Sequence, residues 1–370
     1  MKPLKIIISG GGTGGHIFPA IAIANAIKSL RPDTEFLFVG AEGKMEMEKV
    51  PAAGYKIEGL WISGFQRRLT LSNLAFPFKV MSSLRKAKKI LRGFRPDAVI
   101  GTGGFASGPM LQVAARNKVV TLIQEQNSYP GITNKILSKK VDRICVAYDG
   151  MEKYFPGQKI LLTGNPVRQD ILLLEGKKER GLEHFGLNAD KKIILVIGGS
   201  LGARTINESI LKMLPDLDKN SIQLIWQTGK GYYEAAKQAT ASYSGKGIKA
   251  FDFIQKMDYA YAVADVVISR AGASSVSELC LVKKPSILVP SPNVAEDHQT
   301  KNAMALVTHN AALIIRDVES REKLGNETLQ LIHDEERCKK LAANISKLAF
   351  RDSATVIANE ILNLINNKKK

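Results

Sequence analysis

The residues with the clearest chemical potential lie near the start of the chain, where a short apolar run leads directly into glycines. Residues 4–9 have the β-branched content of a strand, residues 10–15 contain five glycines and one threonine, and residues 17–24 carry small and apolar side chains at helical spacing. A strand, a glycine turn and a helix in this order present backbone N–H groups at the positive end of a helix, which favours a bound diphosphate. His16 follows the glycines and adds a titratable imidazole at the mouth of this anion site.

Dinucleotide binding is an alternative for the same turn, because Gly10, Gly12 and Gly15 satisfy the pattern G-x-G-x-x-G. That fingerprint expects an acid at the end of the second strand, and the nearest acid, Glu42, lies late. Further turns of glycine or small residues follow strands at residues 101–109, 198–202 and 269–275. Four such turns exceed what one dinucleotide fingerprint explains, and they favour phosphate handling.

Polar side chains follow other predicted strands. Residues 124–127 place a carboxylate and three amides where a parallel sheet presents its ligand side, which suits sugar hydroxyls and general base catalysis, although a solvated loop is the alternative. Residues 296–299 form a second polar cluster, in which Asp297, His298 or Gln299 suits sugar recognition; a lone histidine such as His298 is more often structural.

Three further residues are candidates for binding a nucleoside diphosphate. Arg168 lies at the predicted domain junction and is suited to neutralise a diphosphate, or is a surface arginine. Ser274 begins a predicted helix, where it either caps the helix or adjoins a bound phosphate. The carboxylate of Glu278 is able to accept hydrogens from both hydroxyls of a ribose, or is an exposed helical acid.

Composition narrows the class of protein. With 370 residues, 45% hydrophobic and 24% charged, the chain is expected to fold as two globular domains. Its net charge of +18, from 53 basic and 35 acidic residues, favours anionic partners. Three widely spaced cysteines suggest a reducing compartment, and no metal-binding spacing or cofactor motif is recognised. The first apolar run is shorter than a signal-peptide core, and no run approaches the roughly 20 residues that span a bilayer.

The order of patterns predicts the architecture. Strand-like runs alternate with helical patterns, pause near Gly164, and begin again at Lys192, where a lysine, a buried strand and a glycine loop repeat the start of the chain. The fold class predicted is α/β, with two doubly wound Rossmann-like domains that face a cleft. We expect domains at residues 1–165 and 166–349, and an amphipathic C-terminal helix, about residues 350–370, that packs back on the first domain.

An apolar and basic segment is a candidate membrane surface. Leu71, Leu74, Phe76 and Phe78 are followed by a helix rich in lysine and arginine. A core segment followed by a solvated basic helix is nearly as good an interpretation; the functional one is insertion of the apolar residues beside anionic headgroups. Nucleic acid is not an expected partner, because the segment has no regular aromatic interleaving and no known nucleic-acid module.

Six motifs together resemble the MurG family of bacterial N-acetylglucosaminyltransferases, which belongs to glycosyltransferase family 28. The resemblance extends over essentially the whole chain, and its motifs are GGTGGH at 11–16, GTGGFASGP at 101–109, EQN at 125–127, GNPVR at 164–168, GGSLGAR at 198–204 and SRAGAS at 269–274. The resemblance implies a GT-B fold and inverting, metal-independent transfer from UDP-N-acetylglucosamine to the muramoyl 4-hydroxyl of lipid I, which gives lipid II. It also implies peripheral attachment to the cytoplasmic face of the inner membrane, with an anionic membrane surface as a partner.

The resemblance also implies site residues. Those expected at the donor are Thr13, Gly14, Gly15, Asn127, Arg168, Ser200, Ile254, Ala273, Ser274, Glu278 and Gln299. His16 and Glu125 are the candidates for the catalytic base, with His16 preferred. The family often has a histidine before Glu-Gln-Asn, and this chain has Gln124 there, so no catalytic role of that histidine applies.

Other functions remain open on the sequence. A nonhydrolysing UDP-sugar 2-epimerase shares the two-domain architecture and needs no lipid acceptor, and another GT-B glycolipid glycosyltransferase would use a different acceptor. A non-catalytic basic scaffold that binds membrane or nucleic acid would turn over no UDP-sugar.

Overall fold

The computed structural model describes residues 3–63, 76–199 and 201–369. It divides into two compact units, Met1–Val167 with Asp352–Lys370, and Arg168–Arg351. This division lies within two or three residues of the predicted boundaries. Leu71, Leu74 and Ser200, which the sequence analysis singles out, lie outside the described residues.

The first unit is built on a parallel sheet of seven strands. The strands are β1 Lys5–Gly10, β2 Glu35–Ala41, β3 Ile57–Leu60, β4 Ala98–Gly103, β5 Val120–Glu125, β6 Arg143–Val146 and β7 Ile160–Leu162. Their spatial order is β3-β2-β1-β4-β5-β6-β7, so the order of connection reverses between β1 and β4. In doubly wound sheets, the carboxyl ends of the strands at such a reversal are the usual place for a ligand.

Helices cover both faces of this sheet. They are α1 Gly14–Leu30, α2 Glu46–Ala52, α3 Phe76–Phe94, α4 Ser107–Arg116 and α5 Ile132–Leu137. Alternate residues of β1 enter different cores: Ile6 and Ile8 pack with α1, whereas Ile7 packs with α4. Because both faces are buried, the strand reads as one continuous apolar run rather than an alternating one.

The second unit repeats the plan with six parallel strands. They are β8 Ile193–Ile197, β9 Gln223–Gln227, β10 Ile248–Phe251, β11 Val266–Ser269, β12 Ser286–Leu288 and β13 Leu313–Ile314. The spatial order β10-β9-β8-β11-β12-β13 places the reversal between β8 and β11. β8 is the strand whose sequence repeats that of β1, and it has the same central position in its sheet.

Eight helices described in the second unit surround that sheet. They are α6 Lys178–Phe185, α7 Arg204–Lys219, α8 Tyr233–Thr240, α9 Met257–Val263, α10 Ala273–Val282, α11 His298–Val307, α12 Ser320–His333 and α13 Glu335–Ser346. Helices α7 and α10 each follow a central strand through a short turn, as α1 does in the first unit.

The C-terminal helix α14, Ser353–Lys369, packs in the first unit against α1 and β5. Ile357 and Ile361 are fully buried in the core that contains Ile6 and Ile8, and the Arg143 guanidinium donates to Glu360. The chain therefore returns to its first unit, and the predicted α/β class with two parallel sheets is confirmed. Within the described residues, no helix combines the length and apolarity that a membrane span requires.

Candidate active site

His16 lies in the first turn of α1, where the glycine loop holds its ring. Its Nδ1 atom is 2.9 Å from the carbonyl oxygen of Gly11 and 3.2 Å from Oγ1 of Thr13. A carbonyl oxygen only accepts hydrogen bonds, so the neutral ring carries its proton on Nδ1 and its lone pair on Nε2. A neutral imidazole in this tautomer presents a base at Nε2, and the geometry therefore suits proton abstraction.

The turn after β4 leaves room for this ring. A Cβ atom on Gly103 would lie 2.9 Å from Nε2 of His16, and one on Gly104 would lie 2.3 Å from the Gly11 carbonyl oxygen. Both glycines also have positive φ, of 100° and 82°, which other residues adopt only with strain. The Thr102 hydroxyl donates to the carbonyl oxygen of His16 over 2.9 Å. Glycine is thus required at 103 and 104 because two turns meet there.

A buried carboxylate that the sequence analysis missed holds the first glycine loop. Glu46, at the start of α2, is 0% exposed. Its Oε2 accepts from the Gly12 amide and its Oε1 from the Ala41 amide, each over 2.9 Å. The Gly12 amide is therefore engaged by Glu46 rather than offered to a ligand. No sequence signal marked Glu46, which lies among other charged residues and follows no predicted strand directly.

Glu125 is buried at the end of β5, with 2% exposure, and four hydrogen bonds engage its two oxygens. Oε1 accepts from the amide of Asn127 over 3.0 Å and from its Nδ2 over 3.2 Å, while Oε2 accepts from the amide of Gly131 over 3.1 Å and from Nδ2 of Asn134 over 2.8 Å. The carboxylate thus fixes the loop between β5 and α5, and Asn127 is the part-exposed member of residues 124–127.

Gln124, near the carboxyl end of β5, is fully buried in a chain of amides. It donates from Nε2 to Oδ1 of Asn165 over 2.9 Å, and Asn165 donates to the carbonyl oxygen of Gln126 over 2.9 Å. Gln126 in turn donates to Gln124 and to the carbonyl oxygen of Thr102, the latter over 2.8 Å. The expectation that these two glutamines face sugar hydroxyls is therefore wrong, because their amides satisfy one another.

In the second unit, Gln227 at the end of β9 connects two predicted donor segments. Its Nε2 donates to the Gly199 carbonyl oxygen over 3.2 Å, and its Oε1 accepts from the Ile254 amide over 2.9 Å. Ile254 is buried, and its amide is occupied by this bond. Gln227 thus holds the loop that follows β8, and nothing in its sequence surroundings indicated that role.

The turn between β11 and α10 gives α10 an open N-terminus. Gly272 is the residue before the helix, Ala273 is buried, and Ser274 is part-exposed. Within this described helix, the first turn has neither an acidic residue nor a side-chain cap, so its amides suit an anion. Arg270, in the same turn, donates to Asp317 and to the Val289 carbonyl oxygen and is structural.

Glu278 lies on α10 one turn beyond that N-terminus. The hydroxyl of Tyr261, which is fully buried, donates to its Oε2 over 3.0 Å. Burial raises the pKa of Glu278 to about 7, and the nearby Arg168 guanidinium and the Tyr261 hydrogen bond oppose that rise. Arg168 itself pairs with Asp170 over 3.2 Å. Tyr261, which the sequence analysis missed, thus restrains one carboxylate oxygen.

Gln299 lies in the first turn of α11, where its Oε1 accepts from the Ser291 amide over 2.9 Å. The two residues before α11, Glu296 and Asp297, have positive φ of 53° and 54°. Non-glycine residues adopt this conformation rarely, and clusters of it often mark functional loops. Among the residues that the structure describes, these included, no group of three or more His, Cys, Asp or Glu side chains is arranged to hold a metal ion.

Sequence comparisons agree with this geometry. The glycosyltransferase family 28 N-terminal domain matches residues 6–146, and the family 28 C-terminal domain matches residues 193–357. A protein of Parabacteroides distasonis is 57% identical over 368 residues and covers 100% of both chains. One of Bacteroides fragilis is 55% identical and covers 98% of this chain and 96% of its own. Both are named UDP-N-acetylglucosamine–N-acetylmuramyl-(pentapeptide) pyrophosphoryl-undecaprenol N-acetylglucosamine transferase.

Solved structures give the same result. The crystal structure of Acinetobacter baumannii MurG has a TM-score of 0.78 at 25% identity, with 98% of this chain and 100% of that chain covered. UDP-GlcNAc 2-epimerase from Neisseria meningitidis, bound to UDP-GlcNAc, has a TM-score of 0.66 at 14% identity over 97% of this chain and 100% of that chain, which is a likeness of fold alone. The family resemblance read from the motifs is confirmed: the chain belongs to glycosyltransferase family 28, in its MurG group.

Proposed function

We propose that this protein transfers N-acetylglucosamine from UDP-N-acetylglucosamine to lipid I, the undecaprenyl-diphosphate-linked muramoyl peptide, to give lipid II. The substrates are those that the names of full-length relatives at 52–57% identity state. The observation on this chain that carries the reaction type is the His16 ring, whose Nδ1 contacts the Gly11 carbonyl and whose Nε2 therefore holds the lone pair. Such a base suits an acceptor hydroxyl.

The second unit is proposed to bind the donor. The carboxylate of Glu278 accepts hydrogens from the ribose hydroxyls, and the amides of the first turn of α10 and the Arg168 guanidinium stabilise the diphosphate. The remaining proposed contacts to the donor, carried over from the family, are Thr13, Gly14, Gly15, Asn127, Ser200, Ile254, Ala273, Ser274 and Gln299. Of these, Ile254 does not offer its amide to the donor, because that amide already donates to Gln227. Its proposed role is its placement in the site.

The proposed reaction is a single, metal-independent displacement with inversion. The muramoyl 4-hydroxyl oxygen bonds to C1 of N-acetylglucosamine from the face opposite UDP, and the bond from C1 to the diphosphate oxygen breaks with its electron pair. Nε2 of His16 takes the hydroxyl proton. Glu125 is the weaker candidate base, because four hydrogen bonds already engage its oxygens. We assign Glu125 to holding Asn127 in place.

The protein is further proposed to bind the inner leaflet peripherally through α3. Phe78 and Met81 are 73% and 53% exposed, and they share one face of the helix with Arg85, Lys88 and Arg92, which are exposed as well. Exposed apolar residues beside a row of cations suit an anionic membrane surface, where the lipid acceptor resides.

The first test is transfer of labelled N-acetylglucosamine to a lipid I analogue in the presence of EDTA. We expect a disaccharide product, because the proposed mechanism uses no divalent metal. Epimerisation of the UDP-sugar in the absence of acceptor would instead identify the protein as a 2-epimerase. Bound donor with neither product would indicate another acceptor class, and no turnover or binding of donor would indicate a scaffold.

His16→Ala is expected to lower kcat by about 10²–10⁴-fold, the usual contribution of a general base, with the KM for UDP-N-acetylglucosamine changed little. Steady-state kinetics with both substrates measure this. His309→Ala, at an exposed histidine, is the control. Near-normal turnover of His16→Ala together with inactive Glu125→Ala would reverse the two assignments.

Donor affinity is expected to fall as the pH drops from about 8 to about 6, because Glu278, with a pKa of about 7, loses the charge that accepts the ribose hydrogens. Glu278→Gln should weaken UDP-N-acetylglucosamine binding about 10- to 100-fold at the higher pH and remove this dependence. Calorimetric titration across pH measures both effects. Glu322→Gln, at an exposed acid of α12, should bind like the wild type; an unchanged pH dependence in Glu278→Gln would exclude the ribose role.

The double variant Phe78→Ser, Met81→Ser is expected to weaken binding to vesicles that contain anionic lipid about tenfold or more, since it removes exposed apolar area. Co-sedimentation at two salt concentrations measures this, and higher salt should weaken wild-type binding through screening. Val318→Ser is the matched control, because Val318 is equally exposed in the second unit. If the α3 double variant bound vesicles as well as Val318→Ser does, α3 would not be the membrane surface.

A further inference from the structure

One peptide group in the glycine loop is hydrogen-bonded on both sides to functional side chains. The peptide unit between Gly11 and Gly12 accepts through its carbonyl from Nδ1 of His16 over 2.9 Å, and donates through its N–H to Oε2 of Glu46 over 2.9 Å. We propose that Glu46 is a positioning residue for catalysis, which orients His16 and raises its basicity through this peptide group. The proposal rests on the proposed role of His16 as the base.

The physical reason is polarisation of the peptide. A carboxylate that accepts from an amide N–H makes a strong, charge-assisted bond and shifts electron density toward the carbonyl oxygen of the same peptide. That oxygen then holds the Nδ1 proton of His16 more firmly. When Nε2 takes a proton from the acceptor, the resulting positive charge is stabilised by the carbonyl and by the charge of Glu46 behind it. The arrangement resembles a hydrogen-bonded His–carboxylate pair, except that a peptide group lies between the histidine and the carboxylate.

The surroundings of Glu46 hold its carboxylate in this one position. It is fully buried, and the Ala41 amide at the end of β2 donates to its other oxygen over 2.9 Å. A Cβ on Gly11 would lie 2.1 Å from its Oε1, and one on Gly40 would lie 2.5 Å from its Cγ. Two glycines therefore make space for this side chain, and an amide donor at each oxygen fixes its carboxylate.

The neighbouring groups that the structure describes beside this path differ from Glu46 in charge or in burial. Thr13, whose Oγ1 is 3.2 Å from Nδ1 of His16, is uncharged, and Thr102 donates to the backbone carbonyl of His16 rather than to its ring. The other charged residues beside Glu46 lie at the surface: Glu42 pairs with Lys86 there, and Lys44, Glu48 and Lys49 are exposed. Glu46 is thus the charged residue that this hydrogen-bond path links to His16.

The test compares Glu46→Gln with Glu48→Gln, an exposed glutamate two residues further along α2. NMR titration of the His16 imidazole in substrate-free protein, assigned by the signal missing in His16→Gln, should give a pKa about 0.5–1 unit lower in Glu46→Gln and unchanged in Glu48→Gln. In Glu46→Gln, kcat should fall about tenfold, part of the roughly 10²–10⁴-fold that a general base supplies, with the donor KM within about twofold.

A double-mutant cycle separates positioning from a structural role. In a His16→Ala background, Glu46→Gln should lower kcat no further, because its effect passes through the ring. Equal losses in both backgrounds, or an unmoved His16 pKa, would overturn the inference. If Glu46→Gln does not fold, the inference is still testable on the wild type. The ¹⁵N chemical shifts of the neutral His16 ring should report the Nδ1–H tautomer. The Nε2–H tautomer would refute the proposed link from Glu46 to His16.

These readouts also keep the two proposals apart. The tautomer and the pKa of His16 need no substrate, so absence of N-acetylglucosamine transfer by the wild type would reject the proposed function and leave the Glu46 path standing. Transfer by the wild type with an unmoved His16 pKa in Glu46→Gln would reject the Glu46 path alone.

Discussion

The first unit depends on the close approach of two glycine turns at the carboxyl edge of its sheet. The turns after β1 and β4 meet backbone to backbone, since a Cβ on Gly104 would lie 2.3 Å from the Gly11 carbonyl oxygen. The same contact places the ring of His16 against the second turn and its Nδ1 against the first. The second unit uses the same device, because a Cβ on Gly202 would lie 2.0 Å from the carbonyl oxygen of Thr228. Glycines here are needed for packing as much as for ligands.

Buried polar side chains hold these turns in place. Glu46, Glu125 and Gln227 each bond backbone groups of loops that have left the sheet ladder, and such groups require partners once they are buried. Burying a carboxylate is costly, and two or more amide donors offset that cost. An amide that a side chain already binds is not available to a ligand. The backbone amides that remain open to a ligand are thus fewer than the glycine motifs suggest.

In the second unit, the surroundings of Glu278 disfavour the ionised form of its carboxyl group. Burial raises the pKa of Glu278 to about 7, although Arg168 and the Tyr261 hydroxyl both favour its charged form. A group that is costly to ionise in the folded protein is typical of a ligand site, where function opposes stability. By contrast, Arg270 in the turn before α10 donates to Asp317 and to backbone carbonyls, so these two charged residues make different kinds of contact.

The sequence by itself determined the two parallel sheets, the repeat of β1 in β8 and the family, because buried central strands need continuous apolar runs and each close turn needs glycine. The edge strands β3, β7, β10 and β13, each of two to four residues, lack such runs, so the sequence pattern does not identify them. It also treated Glu125 as a possible base and passed over Glu46. Only the tertiary structure decided which carboxylates are enclosed by amides and which nitrogen of His16 carries the proton, because those contacts depend on the path of each loop, which residue types and spacing do not specify.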